Sequence, residues 1–373
     1  MKFNKVLDNC KIYEAGKPIE LVVREYGVDT KDIIKLASNE NPYGTSPKVI
    51  EKIKELSKNM FMYPDDSMYE LKEALATKYS VESQNIIVGA GSDQILDFLI
   101  KAKCDENSKI LMAKTTFAMY EIYGRQTGCT ILKTEDAMHN LEQFEQMYNE
   151  HKPDMVFLCL PNNPLGECLD REDVYNFLAK VDKETLVVVD CAYMEYASYK
   201  DAKKAIEPAD LIEKFPNAVY LGTFSKAYAL GGMRTGYGIG QVNLIKTLYK
   251  IRPPFNITTL SLAAAIEALK DEEFVNECIK LNFDEMKRYE EYAKRKEFSY
   301  IDSYTNFITM KFDNKYISSD VAQKLLERGV IVRDLTSYGV NAIRITIGTQ
   351  KQNTRVFNIL DEVLALLDKQ ENL

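Results

Sequence analysis

The sequence predicts an α/β fold. A mostly parallel sheet covered by helices spans residues 45–255, and residues 1–44 and 256–373 form a smaller α+β domain. Three observations carry this reading. Apolar runs of four to six residues recur along the first two thirds of the chain, the pattern of strands buried on both faces. Amphipathic stretches of helical period separate several of them. After about residue 256 the texture changes to a long helical tract followed by short strands.

The elements follow in order. "SPKVIEKIKELSKNM" (46–60) reads as a helix, with Ser46 at the N-cap, Pro47 in the first turn, and Val49, Ile53, Leu56 and Met60 on one stripe. "NIIVGAG" precedes the helical "SDQILDFLIKAK", and "KILMA" precedes "FAMYEIYGRQ". "CTILK", "MVFLCL", "LVVVDCAY" and "AVYLGTF" are further strands. In the second domain a helical tract (259–296) leads to "NFITMKF", "DVAQKLLERG", "VIVRDL" and "AIRITIG", with Gly329 as the helix stop.

Composition narrows the function. Charged residues make up 28% and the net charge is -8, so no basic nucleic-acid surface is indicated. No apolar run approaches the roughly 20 residues that cross a bilayer, and the N-terminal stretch lacks the apolar core of a signal peptide. Seven dispersed cysteines without a CxxC pair read as thiols in a reducing, cytoplasmic compartment. With only two histidines, His139 and His151, a multi-histidine metal site is excluded. Both histidines lie in polar surroundings and read as solvated.

Four stretches carry chemistry. "VGAGSDQILD" (88–97) sets Gly91, Ser92 and Asp93 between a strand and a helix, where unpaired N–H groups can hold a phosphate; a plain turn capped by Ser92 or Asp93 reads equally well. "LCLPNNPLGE" (158–167) ends a strand on paired asparagines between prolines, which also suits a rigid turn. "LVVVDCAYMEY" (186–196) ends a strand on Asp190, where ligands bind in open α/β sheets, with Tyr193 three residues on. "YLGTFSKAYALGGMRTGYGIG" (220–240) sets Lys226 after small hydroxyl residues and before five glycines and Arg234. Together they match the needs of pyridoxal 5′-phosphate: an amine for its aldehyde, a carboxylate for its ring nitrogen, donors for its phenolic oxygen, a phosphate cradle and an aromatic wall.

In this order the motifs resemble the fold-type I aminotransferases, over nearly the whole chain. "LASNENPYGTSP", "YPDD", "TTFAMYEIY", "PNNPLG", "TFSKAYALGGMRTGY", "GVIVRDL" and "AIRITIGT" are similar to the histidinol-phosphate aminotransferases, especially those of Campylobacter-like bacteria. The resemblance implies a large domain with a mostly parallel seven-stranded sheet. It also implies transamination of L-histidinol phosphate with 2-oxoglutarate, giving imidazole acetol phosphate and glutamate, in histidine biosynthesis. Lys226 would link to the cofactor and then move the substrate proton. Asp190 would pair with the ring nitrogen, Tyr193 and Asn163 with the phenolic oxygen, and Phe117 would stack on the ring. Gly91, Ser92, Asp93, Thr223, Ser225 and Arg234 would hold the phosphate. Tyr63 would reach the phosphate of a partner subunit, which makes the protein a homodimer. Arg344 and Arg333 would bind the anionic end of the substrate, and Asn39 and Tyr13 would line its pocket.

The chain departs from the usual family pattern at Leu165, at Cys191 and at Lys114-Thr115-Thr116 before the stacking aromatic. None removes a cofactor contact. Two other readings keep the fold: a related enzyme acting on another phosphorylated amine or ketone, or on a phospho-amino acid as a decarboxylase, and a non-catalytic ligand sensor. The sensor reading lacks the added DNA-binding segment it calls for.

Overall fold

Three of the apolar runs become strands with no exposed residue. Met155–Cys159, Leu186–Asp190 and Ala218–Thr223 are buried at every position. The structure is a computed structural model that describes residues 1–10, 24–313 and 315–371. The chain divides into two units. The first takes in the N-terminal residues, Gly44–Asn163 and Glu167–Asn276; the second takes in the segment ending at Tyr43, Pro164–Gly166 and the chain from Glu277 onward.

Among the described residues the first unit holds a seven-stranded sheet in the order Ile86–Gly89, Gly236–Ile239, Ala218–Thr223, Leu186–Asp190, Met155–Cys159, Lys109–Met112, Thr130–Lys133. All neighbours are parallel except Gly236–Ile239, which runs antiparallel to both strands beside it. Helix Gly91–Lys103 covers one face. Its Ile95, Leu96 and Leu99 are fully buried in a cluster with Ile87, Phe157, Val188 and Leu221. Each such side chain contributes roughly 2 kcal/mol. On the other face Tyr79 packs against Tyr220 and Tyr237, ring centroids 6.0 and 5.7 Å apart.

Helix Pro47–Leu56 starts as its sequence requires. Ser46 Oγ accepts from the Lys48 N–H, and Pro47 fills the first turn. The helical tract over 259–296 is made of two helices, Thr259–Leu269 and Glu272–Arg295. Asp271, at the break, turns its carboxylate to Ser46 Oγ and Lys48 Nζ.

Gly236–Ile239, within the glycine-rich stretch 220–240, is an interior strand of the sheet. A Cβ on Gly236 would land on the backbone nitrogen of Ser92, and one on Gly222 would land on the Tyr237 ring. The glycines are there for close packing, which hides the apolar signature of the strand.

The second unit holds a four-stranded antiparallel sheet, ordered Arg333–Asp334, Ala342–Thr346, Phe307–Lys311, Ser299–Tyr300, and a parallel pair of Ile34–Lys35 with Val330–Ile331. "VIVRDL" therefore serves two sheets rather than one strand. Gly329, at φ +79°, follows helix Ser318–Leu326 and ends it in the left-handed region. Met286, Tyr289, Met310, Ile343, Ile345, Val356 and Leu360 form the core of this unit. Among the described residues no helix is long and apolar enough to cross a membrane.

Candidate active site

The carboxyl ends of the central parallel strands set the site. Met155–Cys159 leads to Asn163, Leu186–Asp190 ends on Asp190 and leads to Tyr193, and Ala218–Thr223 ends on Thr223 and leads to Ser225 and Lys226. The antiparallel strand begins at this same end, because Gly236 pairs with both Thr223 and Gly89. That register delivers Arg234 beside the start of helix Gly91–Lys103. One cavity is lined by Gly91, Ser92, Asp93, Phe117, Asn163, Asp190, Tyr193, Thr223, Ser225, Lys226 and Arg234. Cys159 and Ala192 complete its wall.

The helix start has no side-chain cap, but the Gly91 N–H, expected on the phosphate, donates instead to Arg234 O at 3.1 Å. Ala90 supplies no side-chain cap, and Gly91 adopts φ +79°. Ser92 and Asp93 lie in the first turn, not at the cap. Arg234, itself at φ +51°, donates from Nη1 to Ser225 Oγ (3.4 Å) and Gly231 O (3.1 Å). Thr223 Oγ1 accepts from the Ser225 N–H at 3.2 Å. Asp93 Oδ2 accepts from the Tyr123 hydroxyl at 3.0 Å, and its Oδ1 is buried without a hydrogen-bond partner. Burial pushes the Asp93 carboxyl above its ordinary range, against the Tyr123 hydrogen bond and the Arg234 charge.

Asp190 is 3% exposed. Burial pushes its carboxyl up to about 6, against hydrogen bonds from Tyr120 and the Ala192 N–H. Lys226 Nζ lies 5.7 Å from the centroid of the Tyr193 ring. Of the paired asparagines only Asn163 faces the cavity. Asn162 is fully buried and donates to Thr115 O (2.9 Å) and Glu167 Oε1 (2.7 Å). Cys191 is fully buried and Leu165 nearly so, and neither lines the cavity.

The expected pyridoxal 5′-phosphate fits these residues on three grounds. An uncapped helix start under an arginine suits a phosphate. A buried carboxylate suits a protonated ring nitrogen. A lysine lies on the same cavity.

Other residues read from the sequence lie elsewhere. Tyr63 is 82% exposed, its ring 4.7 Å from that of Phe255, and it does not line the cavity of its own chain. Arg333 and Arg344 belong to the second unit and stand directly opposite each other on antiparallel strands. Arg344 Nη2 donates to Ala37 O at 2.6 Å, and its guanidinium lies 5.1 Å from the Phe307 ring centroid. Asn39 is buried in this unit, where its N–H donates to Thr346 Oγ1 and its carbonyl accepts from Asn306. Tyr13 lies outside the described residues.

One expectation is corrected. His139 is not solvated: its side chain is fully buried, stacked 5.7 Å from Phe144. Nε2 accepts from the Cys159 N–H at 3.3 Å, and Nδ1 lies 3.3 Å from Glu167 Oε1. Sequence reasoning also missed Tyr120, a fully buried tyrosine on helix Ala118–Thr127.

Residues 31–360 match the family described as aminotransferase class I and II. The chain is 71% identical to the histidinol-phosphate aminotransferase of Aliarcobacter butzleri over 98% of this chain and 99% of that one. It is 57% identical to that of Campylobacter concisus over 98% of this chain and all of the relative. Among solved structures it resembles a histidinol-phosphate aminotransferase from Sinorhizobium meliloti in complex with pyridoxal 5′-phosphate, with TM-score 0.89, 24% identity and 98% of each chain covered. The chain belongs to the class I and II aminotransferases and, within them, to the histidinol-phosphate aminotransferase family.

Proposed function

We propose that the chain is a pyridoxal 5′-phosphate-dependent transaminase. It moves the amino group of L-histidinol phosphate to 2-oxoglutarate, giving imidazole acetol phosphate and glutamate, in histidine biosynthesis. The observation that carries this is 71% identity to an enzyme of that name over 98% of the chain.

When bound, the cofactor supplies a protonated ring that accepts the electron pair left on the substrate carbon. Lys226 Nζ takes the proton from that carbon and returns it. Asp190 holds a proton at the ring nitrogen. Tyr193 and Asn163 donate to the phenolic oxygen, and Phe117 fixes the plane of the ring. The N–H groups of Ser92 and Asp93, with Thr223, Ser225 and Arg234, hold the phosphate, while the Gly91 N–H is taken by Arg234 O at 3.1 Å. Arg344 and Arg333 bind the substrate phosphate, and Arg344 binds the glutamate carboxylate in the second half-reaction. Asn39 shapes this pocket.

The same reading includes a homodimer in the cytoplasm. Met60, Phe61, Met62 and Tyr63 are all exposed, as is Phe255 against Tyr63, an apolar patch of the kind that marks an interface. All seven cysteines are thiols, as suits a reducing compartment.

The test is a titration of the purified holoenzyme with L-histidinol phosphate and no keto acid. Loss of the visible cofactor band at micromolar substrate is expected. A band that responds to glutamate and not to histidinol phosphate would leave the aminotransferase and remove this substrate.

A further inference from the structure

Asp190 sits in an unfavourable place for a charge. It ends a strand buried at every position, and the carboxylate is nearly sealed from water. The groups that face it are Asp93, whose charge opposes ionisation, Lys226, whose charge favours it, and two hydrogen-bond donors. One donor is the Ala192 N–H, 3.2 Å from Oδ1. The other is the Tyr120 hydroxyl, 2.7 Å from Oδ2. Tyr120 is fully buried on helix Ala118–Thr127. Burial, and then the Asp190 charge, push its phenol well above the ordinary range, so Tyr120 keeps its proton and donates at every working pH. The Cys159 thiol also meets this hydroxyl, and burial pushes the thiol up as well, so it too stays neutral.

The Tyr120 ring is held as firmly as its hydroxyl. It stacks on Phe157 with centroids 4.5 Å apart and planes 5° from parallel. It also meets Phe117 edge to face, at 5.6 Å and 83°. One side chain thus touches both Phe117 and Asp190.

We propose that Tyr120 is a positioning residue for the cofactor ring: its hydroxyl keeps the Asp190 carboxylate ionised and aimed, and its ring sets the tilt of Phe117. This rests on the reading that Asp190 pairs with the ring nitrogen. A carboxylate that loses a donor in a dry site binds its own proton more tightly. It then shares less of that proton with a basic partner.

Tyr120→Phe separates the two roles, since it keeps both ring contacts and removes only the hydroxyl. The readout is the 15N resonance of ring-labelled cofactor in the holoenzyme, with Asp190→Ala as reference. The expected result is a shift of the Tyr120→Phe signal from the protonated toward the neutral position, part of the way to Asp190→Ala. kcat falls about tenfold, and KM for the amino substrate changes by less than about threefold. A wild-type resonance and kcat in Tyr120→Phe, with Asp190→Ala displaced, would overturn the role of Tyr120 alone. A wild-type resonance in Asp190→Ala would overturn the pairing of Asp190 as well. Should Tyr120→Phe fold poorly, 3-fluorotyrosine at position 120 gives a stronger donor of nearly the same shape. In the cofactor-free protein it should lower the pH at which the Asp190 carboxyl titrates, and an unmoved titration would overturn the proposal.

Discussion

Nη2 of Arg234 lies 2.7 Å from the point that a Cβ on Gly91 would occupy. The guanidinium and the helix start share one small space, and Gly91 leaves it open. Gly91 also holds φ +79°, which costs other residues roughly 1–2 kcal/mol. Gly91→Ala should therefore displace Arg234 and strain the first turn while the buried helix Gly91–Lys103 survives. The expected outcome is a folded protein whose affinity for pyridoxal 5′-phosphate drops about tenfold or more, read by titrating the cofactor-free protein. Unchanged affinity would remove Arg234 from the phosphate site.

Arg333 and Arg344 face each other across a strand pair but differ in their surroundings. Arg344 is 7% exposed and hydrogen-bonded to Ala37 O, whereas Arg333 is only partly buried. Arg344→Ala should raise KM for both histidinol phosphate and glutamate, by about 30-fold or more for the loss of a charged hydrogen-bond partner. Arg333→Ala should raise KM for the phosphorylated substrate and spare glutamate. Steady-state kinetics with each substrate varied would show it. If Arg344→Ala affects only one substrate, the two do not share that arginine.

Much of this site was legible because each chemical group follows directly on an apolar run. Asn163 and Lys226 lie just past Met155–Cys159 and Ala218–Thr223, and Asp190 ends Leu186–Asp190, so locating the strands located the residues that line this cavity. Three things were not legible. Strand Gly236–Ile239 is spelled with glycines because its neighbours leave no room for a Cβ, and glycine reads as a turn. His139 is buried by Glu167 and Cys159, which are 28 and 20 residues away in the chain, so local polarity misjudged it. The Tyr120 hydroxyl reaches Asp190 across 70 residues, a contact no local pattern encodes.

Glu195 carries a pH dependence that can be isolated. Burial raises its carboxyl from 4.5 to about 7, with Lys78 opposing, on a cavity it shares with Tyr79, Tyr220 and Glu207. A carboxyl raised by folding favours the folded state in its protonated form. Its contribution is full below about pH 4.5 and is lost as the pH rises through about 7. Glu195→Gln keeps the neutral shape at all pH. The variant should match the wild type near pH 4.5 and exceed it by about 1–3 kcal/mol at pH 8. Urea unfolding of the cofactor-free proteins at both pH values measures this. An equal difference at both would mean that Glu195 ionises freely.

Tyr63 is 82% exposed on its own chain, so its proposed role on a partner is best tested in mixed dimers. If it completes a site on the partner, Tyr63→Ala weakens every site of a homodimer, and Lys226→Ala silences every site of another. In a mixed dimer the chain that keeps Lys226 meets a partner that keeps Tyr63. That one site is then wild type, while the second site lacks both groups. Two differently tagged chains, co-expressed and purified through both tags, give the hybrid. Its kcat per intact Lys226 should rise to the wild-type value, well above that of the Tyr63→Ala homodimer. If Tyr63 acts within its own chain, mixing restores nothing, because the chain that keeps Lys226 still lacks its tyrosine.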